Sequence, residues 1–230
     1  MIALIAARGG SQGLKNKNII DFNGKPLIAH SIISGLKSKL ISKVVVTTDS
    51  KTIAKISLKF GAEVPFLRPK KLSTNTANIL EAFKHTIEFY KKKGEIYKNF
   101  VALGACSPLR NVKDIDNCIK IFNKKKAQAV ISVKEIEKPA DWILIKNNKN
   151  KLRHFIKKSN FQNRQSHKKN YIPNGSIYVF DYKRLIKNVN QKKDYLSNLT
   201  YGYIMPKNRS VDIDDFDDLM VANYYFRKNE

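Results

Sequence analysis

Short apolar runs alternate with segments of helical period through the first 134 residues. Residues 2–6, 44–48, 101–103 and 129–133 are apolar, partly β-branched and bounded by turn or charged residues, the pattern of strands buried on both faces of a sheet. Between them, Leu27, Ile28, Ile32, Ile33 and Leu36 fall on one face of a helix that Pro26 can start. Ile53, Ile56, Leu58 and Phe60 mark a second helix ending at Gly61, and residues 76–92 and 112–125 read as a third and a fourth. Strand and helix in alternation predict an α/β fold: a mostly parallel sheet covered on both faces, with ligands at the carboxyl ends of its strands. Past residue 134 the pattern is irregular. Residues 142–146, 152–155, 176–180 and 201–205 read as further strands and residues 215–226 as a closing helix. With no internal repeat and no linker-like stretch, residues 1–230 are expected to form one domain.

The first strand runs into Ala-Ala-Arg-Gly-Gly-Ser-Gln-Gly-Leu-Lys-Asn-Lys-Asn at residues 6–18. Gly9, Gly10 and Gly13 permit positive φ and close approach of backbone N–H groups to phosphate oxygens, while Arg8, Lys15 and Lys17 bring cations to the same turn. The spacing fits neither the P-loop nor the Gly-x-Gly-x-x-Gly dinucleotide fingerprint. Near the other end, Asp212 and Asp214 alternate with Val211 and Ile213. If the two apolar residues are buried in an extended segment, both aspartates share the opposite face, about 7 Å apart, which suits joint binding of Mg²⁺ or one metal ligand beside one base. The competing reading makes this acidic cluster the N-terminal turn of the last helix, which accounts for Asp215, Asp217 and Asp218.

Composition narrows the picture. A formal charge of +25 raises nucleic acid or an anionic membrane as a partner. The lysines are scattered, however, the short runs at 91–93 and 124–126 fall on helix ends, and no nucleic-acid-binding motif is present, so nucleic acid is not the expected partner. A coding bias towards Lys, Asn and Ile gives the same excess. The densest basic stretch, residues 149–169, interleaves Arg153, Lys157, Lys158, Arg164, Lys168 and Lys169 with Phe155 and Phe161. No run approaches the ~18 apolar residues of a membrane span, and Arg8 interrupts any signal-peptide core, so a cytoplasmic protein is expected. Cys106 and Cys118 have neither zinc-ligand spacing nor the number for a disulfide framework and are read as reduced and structural.

Six segments in order carry a resemblance: residues 7–18, Asn23-Gly-Lys-Pro-Leu27, Thr47-Thr-Asp-Ser50, Arg68-Pro69 with Leu72, Ser107-Pro-Leu-Arg110, and Asn174-Gly-Ser-Ile-Tyr178 with Ser210-Val-Asp-Ile-Asp214. Together they resemble the acylneuraminate cytidylyltransferases, or CMP-sialic acid synthetases, over residues 1 to about 225. The resemblance implies a Rossmann-like three-layer nucleotidyltransferase fold with a small dimerisation element at about residues 135–172, and a homodimer. It implies transfer of CMP from CTP to an acidic nine-carbon sugar of the sialic, legionaminic or pseudaminic type, with Mg²⁺ at Asp212 and Asp214. Arg8, Lys17, Asp212 and Asp214 take the catalytic positions. Ala7, Gly9, Gly10, Ser11 and Asn18 join Arg8 and Lys17 around the phosphates, and Arg68, Asn75 and Thr76 approach base and ribose.

The sugar positions implied are Gly104, Arg164, Gln165, Asn174, Tyr178 and Tyr195, with Arg164 suited to a carboxylate because its planar fork pairs bidentately with one. Departures from the family pattern cluster here. Gly104 stands where glutamine is common, Asn75 where aspartate is usual, and Asp141 lies near the position of a lysine that reaches across the dimer. Two alternatives remain: nucleotidyl transfer to another sugar acid such as a 3-deoxy-octulosonate, or from another base, and a non-catalytic relative that binds a polyanion. Arg110 is expected to hold its loop, and at Asp49 helix capping competes with a ligand role.

Overall fold

The computed structural model describes residues 1–10, 13–138, 140–156, 169–191 and 195–228. Ser11, Arg164 and Gln165 lie outside them. Among the described residues, ten strands and six α-helices run in the order β1 (Ile2–Ala6), β2 (Asp21–Phe22), β3 (Lys25–Pro26), α1 (Leu27–Lys37), β4 (Lys43–Thr47), α2 (Lys51–Lys59), α3 (Ile79–Lys92), β5 (Asn99–Leu103), α4 (Val112–Lys125), β6 (Ala129–Ile136), β7 (Leu144–Lys146), β8 (Leu152–His154), β9 (Asn170–Asp181), α5 (Tyr182–Asn190), β10 (Thr200–Ile204) and α6 (Phe216–Lys228).

Six strands form one sheet in the order β10-β6-β9-β5-β1-β4. Its neighbours are parallel except around β9, which runs antiparallel to both β5 and β6. Strands β1, β4 and β5 are buried on both faces, as their continuous apolar runs require, whereas the edge strand β10 is partly exposed. Ala3, Ile5, Val44, Val46, Val101 and Leu103 pack under α1, α2 and α4, while Ile2, Leu4, Val45, Phe100 and Ala102 pack under α3 and α5. The result is three layers, helix on sheet on helix.

Helix faces differ from expectation at two places. Leu36 and Leu58 are 47% and 56% exposed. In α1 the buried position is Gly35, where a Cβ would lie 3.0 Å from Val44 and 3.2 Å from Leu103, so the helix approaches the sheet through a missing side chain. In α2, Ser57 takes the inward position beside Ile53 and Ala54.

A third apolar cluster sets the site. Phe22, Leu27, Leu109, Ile213, Leu219 and Ala222 are buried together, with Leu14, Ile20 and Val211 packed against them. It joins the chain after the first loop, the chain after β5 and the acidic segment near the tail. Because Ile213 is fully buried, burial of its side chain fixes where Asp212 and Asp214 emerge. Truncating such a side chain typically costs about 2–5 kcal/mol.

Candidate active site

The carboxyl ends of β1 and β5 and the adjoining part of β9 frame a cleft of about 820 Å³. Arg8, Lys17, Asn18, Asp212 and Asp214 all face it, so the cationic head and acidic tail of the chain converge. Their meeting point is direct. Lys17 Nζ lies 2.6 Å from Asp214 Oδ1, and a Cβ built on Gly13 would overlap the Asp214 carbonyl oxygen. Glycine at position 13 therefore serves close passage of two backbones. None of Gly9, Gly10 and Gly13 has positive φ, which corrects the expected reason for them.

The cations are held differently. Arg8 Nη1 donates to Asn75 Oδ1 at 2.7 Å and to the Thr74 carbonyl at 3.3 Å, both neutral acceptors. Lys17 is 16% exposed against 75% for Asp214. Burial works against its charge, but the acidic groups around it, Asp214 and Asp212 among them, prevail and hold the Lys17 ammonium above its ordinary pKa. Asn18, buried beneath them, donates to the Arg8 carbonyl at 3.0 Å and so braces the loop.

The two aspartates are not equivalent. Asp214 is exposed, whereas Asp212 is partly buried and accepts from Ser107 Oγ at 3.2 Å. Burial, then the neighbouring Asp214 charge, raises the Asp212 pKa above the usual carboxylate value. Facing Asp212 is Gly175, at φ +72°, where any Cβ would overlap the carboxylate. Only glycine satisfies both conditions there. Among the described residues no cluster of three metal-ligating side chains occurs, so a cation at these aspartates would take its remaining ligands from substrate and water.

Arg110 holds its loop as expected. Nearly fully buried, it donates to the Ser176 carbonyl at 2.9 Å, to the Gly104 carbonyl at 2.5 Å and to Ser31 Oγ, tying the end of β5 to β9. Burial lowers its pKa to about 10. Gly104 lines the cleft but cannot be a shortened glutamine: a Cβ there would overlap the Gly175 carbonyl oxygen.

Other expected positions divide. Arg68 and Asn75 line the cleft, and Tyr178 and Tyr195 line its aromatic end with Phe180 and Phe83. Tyr178 is pushed up to about 12 by burial, with Tyr195 and Asp212 adding to it. Thr76 is exposed and outside the lining, because Thr74, Asn75, Ala77 and Asn78 turn inward instead. Ala7 is buried in the core and bonds through its N–H to the Thr47 carbonyl. Gly9 and Gly10 also lie outside the lining, and the Gly9 N–H donates to Asp49 Oδ1 at 3.0 Å. The sugar-binding role expected of Asn174 gives way to a structural one. Its amide receives from Ser132 Oγ at 2.6 Å and donates to Ser210 Oγ at 2.9 Å, with 4% exposure.

Two contributors escaped sequence reasoning, and a third, Asp49, follows neither of its two expected readings in full. Ser107 holds Asp212, and Cys106, read as merely structural, lines the cleft with Sγ 3.5 Å from Asn18 Oδ1. Burial pushes its thiol up to about 11, so it is a neutral group beside Lys17. Asp49 leaves capping of α2 to Ser50 and instead bonds the first loop, 4.0 Å from the Arg68 guanidinium. Ser107 opens a quoted motif and Cys106 directly precedes it, but nothing in their spacing distinguishes the two from ordinary turn residues.

Comparisons with known proteins agree with this geometry. A protein-family model described as Cytidylyltransferase matches residues 2–224. The N-acylneuraminate cytidylyltransferase of Escherichia coli O18:K1:H7 is 34% identical over 223 residues, covering 96% of this chain and 51% of that protein. The pseudaminic acid cytidylyltransferase of Campylobacter jejuni strain 81-176 is 31% identical over 228 residues, 99% of this chain and 97% of that protein. The chain thus spans about half the length of the first relative and nearly all of the second. In fold, a CMP:2-keto-3-deoxy-manno-octonic acid synthetase complexed with CTP superposes with a TM-score of 0.72 at 14% identity, covering 100% of this chain and 99% of that one. From the loop after β1 to the acids before α6, the chain belongs to the cytidylyltransferase family.

Proposed function

We propose that the chain transfers a cytidylyl group from CTP to an acidic nine-carbon α-keto sugar, releasing pyrophosphate. The observation that carries this reading is the convergence of Arg8 and Lys17 with Asp212 and Asp214 on one cleft. The relative of matching length, named for pseudaminic acid, supports the acceptor class.

In the reaction, the anomeric hydroxyl of the acceptor attacks the α-phosphorus. A new O–P bond forms, the α–β bridging P–O bond breaks, and the hydroxyl proton is lost. The protein supplies alignment and charge. Arg8, held by neutral acceptors, keeps its full charge for the triphosphate, while Lys17 exchanges its contact with Asp214 for phosphate oxygens as nucleotide enters. Arg68 and the 72–79 segment take the nucleoside, and Tyr178 and Tyr195 face the acceptor.

The donor set fits Mg²⁺. Two carboxylates share one edge of the cleft, and the charge of one already raises the proton affinity of the other, a repulsion that a divalent cation relieves. Bound at Asp212 and Asp214, Mg²⁺ would offset the triphosphate charge and make the α-phosphorus a better electrophile.

The working unit is a homodimer. The β7–β8 hairpin and its flanks expose Trp142, Ile143, Leu144, Leu152, Phe155 and Ile156 at 40–63%, an apolar excursion on which a second copy would dock.

Incubating the protein with each of four NTPs, Mg²⁺ and a panel of ulosonic acids, while following pyrophosphate, tests the proposal. Release with CTP and a nonulosonate is expected. Release only with an eight-carbon acid or another NTP would move the substrate assignment, and silence throughout would favour a non-catalytic relative. Asp214→Asn is expected to abolish release, with a Tm close to the parent's because its ion pair is exposed.

A further inference from the structure

Outside the cleft, the acidic segment is tied to one buried carboxylate. Asp114, in the first turn of α4, is fully buried, and two of its partners, Arg209 and Asn111, adjoin segments that carry the reacting groups. Arg209 pairs with it through two bonds, Nε to Oδ2 and Nη2 to Oδ1, both 2.9 Å. Tyr203, near the end of β10, donates to Oδ1 at 3.0 Å. The backbone of Asn111 donates to Oδ2 at 3.1 Å, and Asn111 returns an acceptor to the Asp114 N–H at 3.0 Å. Arg209 stands three residues before Asp212, and Asn111 closes the Ser107-to-Arg110 turn whose serine bonds Asp212.

We infer that Asp114 and Arg209 form a latch that sets the position of Asp212 and Asp214, making both positioning residues for the reaction. Neither lines the cleft. The segment from 209 to 214 carries no regular secondary structure after its short 3₁₀ turn, so its course depends on attachments. These include Arg209 on Asp114, Ser210 on Asn174, Ser107 on Asp212, the Ile213 N–H on the Cys106 carbonyl at 2.9 Å and Lys17 on Asp214. Of the two ion pairs, Arg209 on Asp114 is the one made through two hydrogen bonds to a fully buried carboxylate. Its bidentate geometry fixes orientation as well as distance, which a lysine ammonium does not reproduce. Small displacement of groups that align a phosphoryl centre lowers turnover strongly while leaving ground-state binding of nucleotide largely intact.

This inference rests on the cytidylyl-transfer reading for its kinetic consequence, but the latch itself can be tested apart from it. Arg209→Lys and Arg209→Ala are compared with the parent by backbone hydrogen exchange and by steady-state kinetics with CTP. Faster exchange confined to residues 210–215 is expected in both, with the first loop unchanged. With the parent's accepted sugar, kcat is expected to fall tenfold or more in Arg209→Ala and less in Arg209→Lys, while KM for CTP stays within threefold. Parent-like exchange at 210–215, or parent-like kcat in both folded variants, would overturn the latch. So would a loss of activity that only tracks the folded fraction, and if Arg209→Ala fails to fold, Arg209→Lys alone decides by the same criteria. A parent silent towards CTP and every acceptor would count against the transfer reading and leave the exchange experiment to judge the latch.

Discussion

Two aspartates one residue apart do different physical work. Asp214 stands in solvent against Lys17, and Asp212 is drawn under the surface by the burial of Ile213 and held there by Ser107. Its raised pKa means the folded protein holds an unfavourable charge. Below the unfolded pKa near 3.8 both states carry the neutral acid and nothing is lost; as pH rises through the folded pKa the penalty becomes complete. Asp212→Asn is therefore expected to abolish turnover yet raise Tm at pH 7, with about 2–4 °C for each kcal/mol relieved at this chain length. The gain should vanish in acid, where the parent side chain is already neutral. A lower Tm at pH 7 would contradict the assignment. Sequence spacing made these acids legible because apolar neighbours alternate with them. It left Cys106 and Ser107 obscure, since their roles come from chain crossings 88 and 105 residues away.

At the scale of elements, the cleft wall depends on backbones passing closely. Gly104, just past the end of β5, lies against the Gly175 carbonyl of β9 and Ser107 Oγ, where a side chain would have to go, and its own carbonyl accepts from Arg110. Gly104→Ala has no room to relax because the obstacle is a carbonyl oxygen, and a Tm fall of several degrees is expected by calorimetry; parent-like melting would show that β9 can retreat. The six strands of the main sheet were readable from their apolar runs, but the two-residue strands β2 and β3 were not, and neither was the antiparallel direction of β9, because pairing direction leaves no mark on an apolar run. Helix faces failed where a small residue packs and a large one does not, as at Gly35 and Leu36. α5 went unseen because it is short and basic with Leu185 buried; the signal available was Asp181, which accepts from the Arg184 N–H at 2.8 Å.

For the molecule as a whole, the third buried cluster brings Leu14 and Ile20 beside Ile213, and no residue of the β7–β8 hairpin belongs to any of the three clusters. Charge of +25 disfavours self-association, so any dimer must be carried by apolar contact. Leu144→Asp with Leu152→Asp is expected to give a folded monomer by sedimentation, at half the parent's mass; an unchanged dimer would place the interface elsewhere. The convergence of head and tail is tested most directly by anomalous diffraction from crystals grown with CTP and Mn²⁺. A manganese peak is expected at the carboxylates of Asp212 and Asp214, with the triphosphate between it and Arg8 and Lys17. A nucleotide bound away from those four side chains would contradict it.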